Sequence, residues 1–316
     1  MKMMRIGNTP LQASRIAFGC MRLSEERKEA LASVKAALEQ GITLFDHADV
    51  YARGAREEIF SAIWDEVPGL RDKIILQSKC GIRFAGDPDP NAPKRYDFSY
   101  EHIVRSVEGS LRRLKTDYLD ILLLHRPDML MEPAEVARAF NELHRAGKVR
   151  YFGVSNHTAA QIQLLQKWLA QPIVVNQLLV SLLESQFLEV GVNLTTRPLL
   201  LKIRGDGTLE YCWLNDITIQ AWSPLSGGAL SGNLPNQPEE RVQQTAELVA
   251  ALAEAKGVSR EAIVIGWLLR HPSGIQPVIG TTNPARIRAA CQAVDVELNR
   301  EEWYRLFVAG RGGDIP

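Results

Sequence analysis

The chain has 316 residues, 46% of them hydrophobic and 23% charged, as expected of a globular protein with a sizeable core. Its 37 basic residues balance 37 acidic ones, which argues against nucleic acid as a partner and gives no pull towards an acidic membrane surface. No apolar run approaches the roughly 18 residues needed to cross a bilayer, and the first 14 residues lack the apolar stretch of a signal peptide, so a cytoplasmic location is expected.

Along the chain, apolar or β-branched runs alternate with segments of helical spacing. A strand over residues 16–19 is followed by a helix over 25–39, where Ala30, Val34 and Leu38 recur at four-residue steps. A strand at 43–48 precedes a helix at 57–64 that puts Ile59, Phe60, Ile63 and Trp64 on one stripe. Strands at 74–80, 119–125, 151–156 and 173–177 then alternate with helices at 103–114, 133–146 and 159–169. Residues 180–215 read as a long irregular excursion, with a turn signal at Arg204-Gly205-Asp206-Gly207, that shapes substrate access. A strand at 217–223, helices at 239–256 and 262–269 and a strand at 276–280 complete the pattern, and the glycines of 310–313 read as a tail.

Eight strands with helices between them predict an α/β chain folded as one (β/α)8 TIM-barrel domain spanning residues 1–316. The rival, a doubly wound open sheet with a dinucleotide fingerprint, lacks a GxGxxG after its first strand. Cys20, Cys80, Cys212 and Cys291 form no CxxC pair, so they suggest free thiols in the packing rather than a metal or redox site.

Barrel active sites gather where strands end, so polar residues closing the apolar runs are the candidates. Strand two ends in Asp46-His47-Ala48-Asp49-Val50-Tyr51, strand three in Lys79-Cys80 and strand four in His125-Arg126. Strands five, six and seven end in Ser155-Asn156, Asn176-Gln177 and Trp222-Ser223. Burying Lys79 and Asp46 is costly unless they pair, and adjacent strands make the pair natural. A cationic Lys79 beside Tyr51 is expected to lower the tyrosine pKa, letting Tyr51 give a proton to a carbonyl oxygen that His125 helps polarise. His47 is expected to point away from Asp46, and Asp49 to set the turn. His102, His144, His157 and His271 read as surface or capping groups.

The set Asp46, Tyr51, Lys79 and His125 resembles the catalytic tetrad of the aldo-keto reductases. The segments Gly109-Ser110-Leu111-Arg112-Arg113-Leu114, Asp117-Tyr118-Leu119-Asp120 and Gly147-Lys148-Val149-Arg150-Tyr151-Phe152-Gly153-Val154-Ser155-Asn156 resemble that family too. Ala221-Trp222-Ser223 and the ending Gly313-Asp314-Ile315-Pro316 resemble its bacterial YdhF-like oxidoreductase branch. The resemblance implies an NADP(H)-dependent oxidoreductase acting on small-molecule aldehydes or ketones, with the cofactor held without a Rossmann fold. Ser155, Asn156 and Gln177 would hold the carboxamide and Trp222 would stack on the nicotinamide. Gly19, Cys20 and Met21 would line its path, and Ser223, Leu225 and Gly227 would contact the pyrophosphate. Arg286 would grip the 2′-phosphate. Gly280, followed by Thr281 and Thr282, stands where many members carry a lysine, and Ala289 and Ala290 replace polar adenine contacts. Two rivals share the barrel. One is an NADP-binding sensor without turnover. The other is a phosphate-handling isomerase or lyase, which Ser226-Gly227-Gly228 leaves open. Phe84, Arg126, Met129, Trp213 and Trp222 are the expected substrate-pocket wall.

Overall fold

The computed structural model describes residues 1–193 and 207–315. The turn expected at Arg204–Asp206, with Thr195, Thr196 and Pro198, lies outside the described residues.

Eight parallel strands close into a barrel: β3 (Ala17–Gly19), β4 (Leu44–Asp46), β5 (Ile75–Cys80), β8 (Leu119–Leu124), β9 (Val149–Ser155), β10 (Ile173–Leu179), β11 (Thr218–Trp222) and β12 (Gln276–Ile279). β12 pairs back onto β3, so the barrel has no free edge. Each expected strand is present within two residues of its sequence-read limits.

Helices α1 (Arg27–Glu39), α2 (Ala55–Phe60), α3 (Ile63–Glu66), α4 (Tyr100–Leu114), α5 (Pro133–Arg145) and α6 (Ala159–Gln166) cover the first half of the barrel. α9 (Glu240–Lys256), α10 (Arg260–Leu269) and α11 (Pro284–Cys291) belong to the second half. Their starts follow capping chemistry. Ser99 accepts from His102 N at α4, and Thr158 forms a capping box with Gln161 at α6. The helix expected at 57–64 is broken between Phe60 and Ile63 into α2 and α3.

Four features add to the sequence reading. An N-terminal hairpin, β1 (Met3–Arg5) with β2 (Gln12–Ser14), donates Gly7 N to Thr218 Oγ1 at the start of β11 and packs Ile6 with the apolar side chains of the barrel interior. A second hairpin, β6 (Ile82–Arg83) with β7 (Arg95–Tyr96), extends the loop after β5. Helices α7 (Gln186–Asn193) and α8 (Thr208–Leu214) fall within the stretch read as irregular. Finally, α12 (Arg300–Arg311) ends on Gly312, so the glycines read as a tail are a helix terminus. Gly310 is buried within α12, where an added Cβ would lie 2.2 Å from the Leu182 carbonyl oxygen. No helix among the described residues is long and apolar enough to cross a membrane.

Two-residue alternation along the strands decides what enters the barrel. Leu44, Ile75, Ile121, Leu123, Val175 and Val278 belong to one interior cluster. Two residues further along β4, β5 and β10 lie Asp46, Gln77 and Gln177, and two residues past Leu123 lies His125. The same step that buries an apolar layer lifts polar side chains to the C-terminal mouth.

Candidate active site

Four side chains from three strand ends meet at that mouth. Lys79 Nζ donates to Asp46 Oδ1 and Oδ2, both at 2.7 Å, to the His47 carbonyl at 2.8 Å and to Tyr51 Oη at 3.1 Å. The Lys79 side chain has 0% exposure and that of Asp46 4%, so this ion pair is dry. The His125 ring stands edge-on to the Tyr51 ring, with centroids 5.9 Å apart.

Tyr51 reaches this position through a strained turn. Ala52 and Arg53 take left-handed backbone angles, φ 48° and 55°, and Gly54 follows at φ 94°. Gly54 is required there, because an added Cβ would fall 2.5 Å from Arg113 Nε. That arginine is fixed by Glu57 Oε2 at 2.8 Å, while Glu57 Oε1 accepts from Ser78 Oγ at 2.7 Å. The buried Glu57 thus ties the start of α2 to β5 and α4, and the turn carrying Tyr51 is anchored at its far end.

The electrostatics depart from the sequence expectation at Tyr51. Its pKa is raised, not lowered: burial of the phenol dominates, and the pull of Lys79 is partly cancelled by Asp46. A cation already neutralised at 2.7 Å by a carboxylate has little left with which to ionise its neighbour. Burial opposes the Lys79 ammonium, yet Asp46 and Tyr51 outweigh it and hold the lysine pKa above its usual value. His125 is pushed well below 6.5 by burial, then by Lys79 and Arg126, and is a neutral imidazole at pH 7.

From this centre a cleft of about 430 Å³ runs across the mouth to the start of α11. It is lined by Gly19, Met21, Asp46, Tyr51, His125, Ser155, Asn156, Gln177, Trp222, Ser223, Leu225, Gly227, Gly280, Thr281, Thr282 and Arg286, all of which the sequence had singled out. Cys20 is a correction: it is fully buried behind the cleft wall, its Sγ facing the Phe18 carbonyl. Lys79 also lies beneath the surface rather than on it, as a partner of Tyr51. Sequence reasoning missed Arg22, Ser231, Asn233, Glu261 and Asn283 on the cleft wall. They sit in loops and at helix starts, where no strand ending marks them.

At the inner end the amides are already engaged. Asn156, at φ 63°, donates to Ser155 Oγ at 2.8 Å and accepts from Trp222 Nε1 at 3.1 Å. Ser155 Oγ donates to the Gln177 carbonyl at 2.8 Å. Gln177 Nε2 donates to Asp46 Oδ1 and Gln220 Oε1, both at 3.1 Å, and Gln177 lines the cleft with no donor to its own side-chain oxygen among the described residues. Past Trp222, Ser223, Ser226, Gly227 and Gly228 all take positive φ, and this run curls the backbone along the cleft. At the outer end Asn283 caps α11, and Arg286 touches only Asn233 Oδ1 at 3.5 Å, with no carboxylate partner among the described residues.

Of the expected pocket wall, Arg126 and Trp222 line the cleft, with the guanidinium 5.4 Å from the indole centroid. Phe84, Met129 and Trp213 do not. Phe84 lies under Arg53, Met129 is 89% exposed, and Trp213 packs on His271, which precedes β12. His47 points outward against Phe60, as the alternation requires, and its buried ring nitrogens have no hydrogen-bond partner among the described residues. His102 and His157 are corrections, because both are buried rather than at the surface. The four cysteines are buried and unpaired.

The chain matches the family model described as Aldo/keto reductase family over residues 15–307. It is 37% identical to Oxidoreductase YdhF of Escherichia coli over 96% of this chain and 95% of that protein. It is 36% identical to 6-dehydroglucose reductase of Agrobacterium fabrum over 96% of this chain and 97% of that protein. Among solved structures it resembles the holo form of aldo-keto reductase AKR11C1 from Bacillus halodurans, with TM-score 0.78 and 25% identity over 98% of this chain and 96% of that one. The likeness to YdhF agrees with the branch read from the sequence.

Proposed function

The chain belongs to the aldo/keto reductase family, and on that premise we propose that it reduces aldehyde or ketone carbonyls with NADPH, Tyr51 giving the proton. The observation that carries this reading is the dry Asp46–Lys79 pair with one lysine N–H directed at the Tyr51 hydroxyl, 3.1 Å away on the cleft wall.

The cleft's donor set fits the cofactor. Its inner end offers amide oxygens of Asn156 and Gln177, which suit the N–H groups of a carboxamide, beside the Trp222 indole. Its outer end offers the Arg286 guanidinium at the start of α11, without a carboxylate partner among the described residues, which suits a phosphate. When bound, the nicotinamide would supply a hydride to the carbonyl carbon.

The chain's own task is then to hold the carbonyl and deliver a proton. Tyr51 remains a phenol through the neutral range, because its pKa lies above the usual value, so it can donate to the carbonyl oxygen. His125, neutral, can hydrogen-bond the same oxygen without adding a charge. As the oxygen gains negative charge it takes the phenolic proton, and the phenolate left behind lies beside the Lys79 ammonium. That stabilisation acts after transfer begins, so Lys79 favours the transition state more than the resting state.

The deciding experiment is cofactor-oxidation kinetics over a diverse carbonyl panel with NADPH and NADH. 6-Dehydroglucose, which the Agrobacterium relative's name states as its substrate, belongs on that panel. No turnover with any carbonyl would favour the sensor reading instead. Four buried, unpaired thiols support a reducing, cytoplasmic setting.

A further inference from the structure

A dry layer of amides crosses the barrel directly beneath the cleft. Gln77 on β5, Gln177 on β10, Gln220 on β11 and Gln276 on β12 are exposed by 0%, 3%, 0% and 0%. Gln77 Nε2 donates to Asp46 Oδ1 at 2.6 Å and to Gln220 Oε1 at 2.8 Å. Gln220 Nε2 returns a bond to Gln77 Oε1 at 3.1 Å and donates to Gln276 Oε1 at 2.9 Å. Gln276 Nε2 donates to the Ser14 backbone carbonyl at 2.7 Å.

Chemistry fixes the direction of every bond in this chain. The Ser14 carbonyl only accepts, so Gln276 must turn its N–H towards it and its oxygen towards Gln220. Gln220 must then donate to Gln276 and accept from Gln77 and Gln177. Those two amides are left with one N–H each, and both meet the carboxylate of Asp46. The backbone at the barrel floor therefore sets the orientation of the donors around Asp46.

Interiors of such barrels are usually filled by branched apolar side chains. The layer below follows that habit, with Leu44, Ile75, Ile121 and Val175. Amides replace them at the level of Asp46, where an unbonded amide would be costly and a bonded one is useful. Asp46 Oδ1 takes hydrogen bonds from Gln77, Gln177 and Lys79. With part of its charge met by the amides, the carboxylate does not draw all three lysine protons to itself. The ammonium keeps one N–H for the His47 carbonyl and one for Tyr51.

We propose that Gln77 and Gln220 are positioning residues for proton donation, holding the Asp46 carboxylate so that the Lys79 ammonium stays on the Tyr51 hydroxyl. This rests on the reading of Tyr51 as the donor.

The test compares Gln77→Met, Gln77→Glu and Gln220→Met with the unmodified enzyme, each with a thermal melt and a kcat and KM profile from pH 5.5 to 9. Gln77→Met keeps the volume and removes the donor, so kcat is expected to fall by about 10-fold or more at every pH while KM moves by less than about 3-fold. Gln77→Glu adds a signature that a packing defect would not produce. The introduced carboxyl, while protonated, can donate to Asp46. Once ionised it repels that carboxylate and competes for Lys79. Its kcat should therefore approach that of the unmodified enzyme at the acid end. It should then fall by a further factor of about 10 as pH rises, a limb absent from the unmodified enzyme and from Gln77→Met. If Gln77→Met does not fold, Gln220→Met carries the same expectation one bond further from Asp46. Normal kcat in the folded Met variants, or no added limb in Gln77→Glu, overturns the proposal. Full activity in Tyr51→Phe would instead remove the donor reading itself, so the two failures are told apart.

Discussion

The Tyr51 hydroxyl accepts a 3.1 Å hydrogen bond from a lysine that is itself closed off from solvent by Asp46. Tyr51→Phe removes one oxygen and almost no volume, so folding and cofactor binding should survive. Turnover should fall by at least about 10²–10⁴-fold, the usual contribution of a placed general acid. Steady-state kcat with a fluorescence titration of NADPH checks both halves. Retention of most activity with normal NADPH binding would move the chemistry elsewhere on the barrel mouth.

Arg286 offers a guanidinium with no carboxylate partner among the described residues at the outer end of the cleft. Arg286→Ala should weaken NADPH binding by about 1.5–3 kcal/mol, the range for a charge-assisted bond, and leave NADH binding nearly unchanged. Binding titrations with the two cofactors check this. An equal loss for both would dissociate Arg286 from the 2′-phosphate.

Acid should destabilise this protein from near neutrality. Burial pushes His47 down to about 3 and His102 and His157 to about 4, while in the unfolded chain they take protons from about pH 6.5 downwards. Their contribution to stability is complete above pH 6.5 and is lost as pH falls towards 4. Asp49 works the other way: burial, then Glu57, raises it to about 7, so its folded carboxyl keeps a proton that the unfolded one releases. One carboxyl cannot offset three histidines. Each uncompensated histidine is worth about 1.4 kcal/mol per pH unit across this window. Urea midpoints at pH 7, 6 and 5 should fall steadily, and His157→Gln should flatten the slope. A midpoint that holds steady or rises towards pH 5 would contradict the assignment.

Helix α12 is seated through Gly310. Alanine in an ordinary helix interior is favoured over glycine by about 1 kcal/mol. Here the new Cβ would meet the Leu182 carbonyl at 2.2 Å, so Gly310→Ala should instead destabilise by about 2 kcal/mol. Gly313→Ala, with nothing within 4 Å, should stay within about 0.5 kcal/mol. Paired thermal melts decide, and a neutral Gly310→Ala would show that α12 can shift freely.

The sequence by itself determined the barrel, because alternating apolar runs and amphipathic segments are local patterns that specify element, length and buried face. It also located Asp46, Tyr51, Lys79 and His125, since polar residues closing apolar strands must share one mouth once the strands run parallel. The β1–β2 and β6–β7 hairpins were illegible, as such short strands carry no period and, unlike β3 and β4, stand outside the strand–helix alternation. The burial of His102 and His157 was hidden too, because a helix or loop position does not say which neighbour will cover it. Tertiary structure alone decided the sign of the Tyr51 shift, which balances burial against two opposed charges and depends on how completely water is excluded. It alone joined Gln77 to Gln220, 143 residues away, since barrel closure brings distant strands to one level and local sequence periodicity records only the face each residue takes.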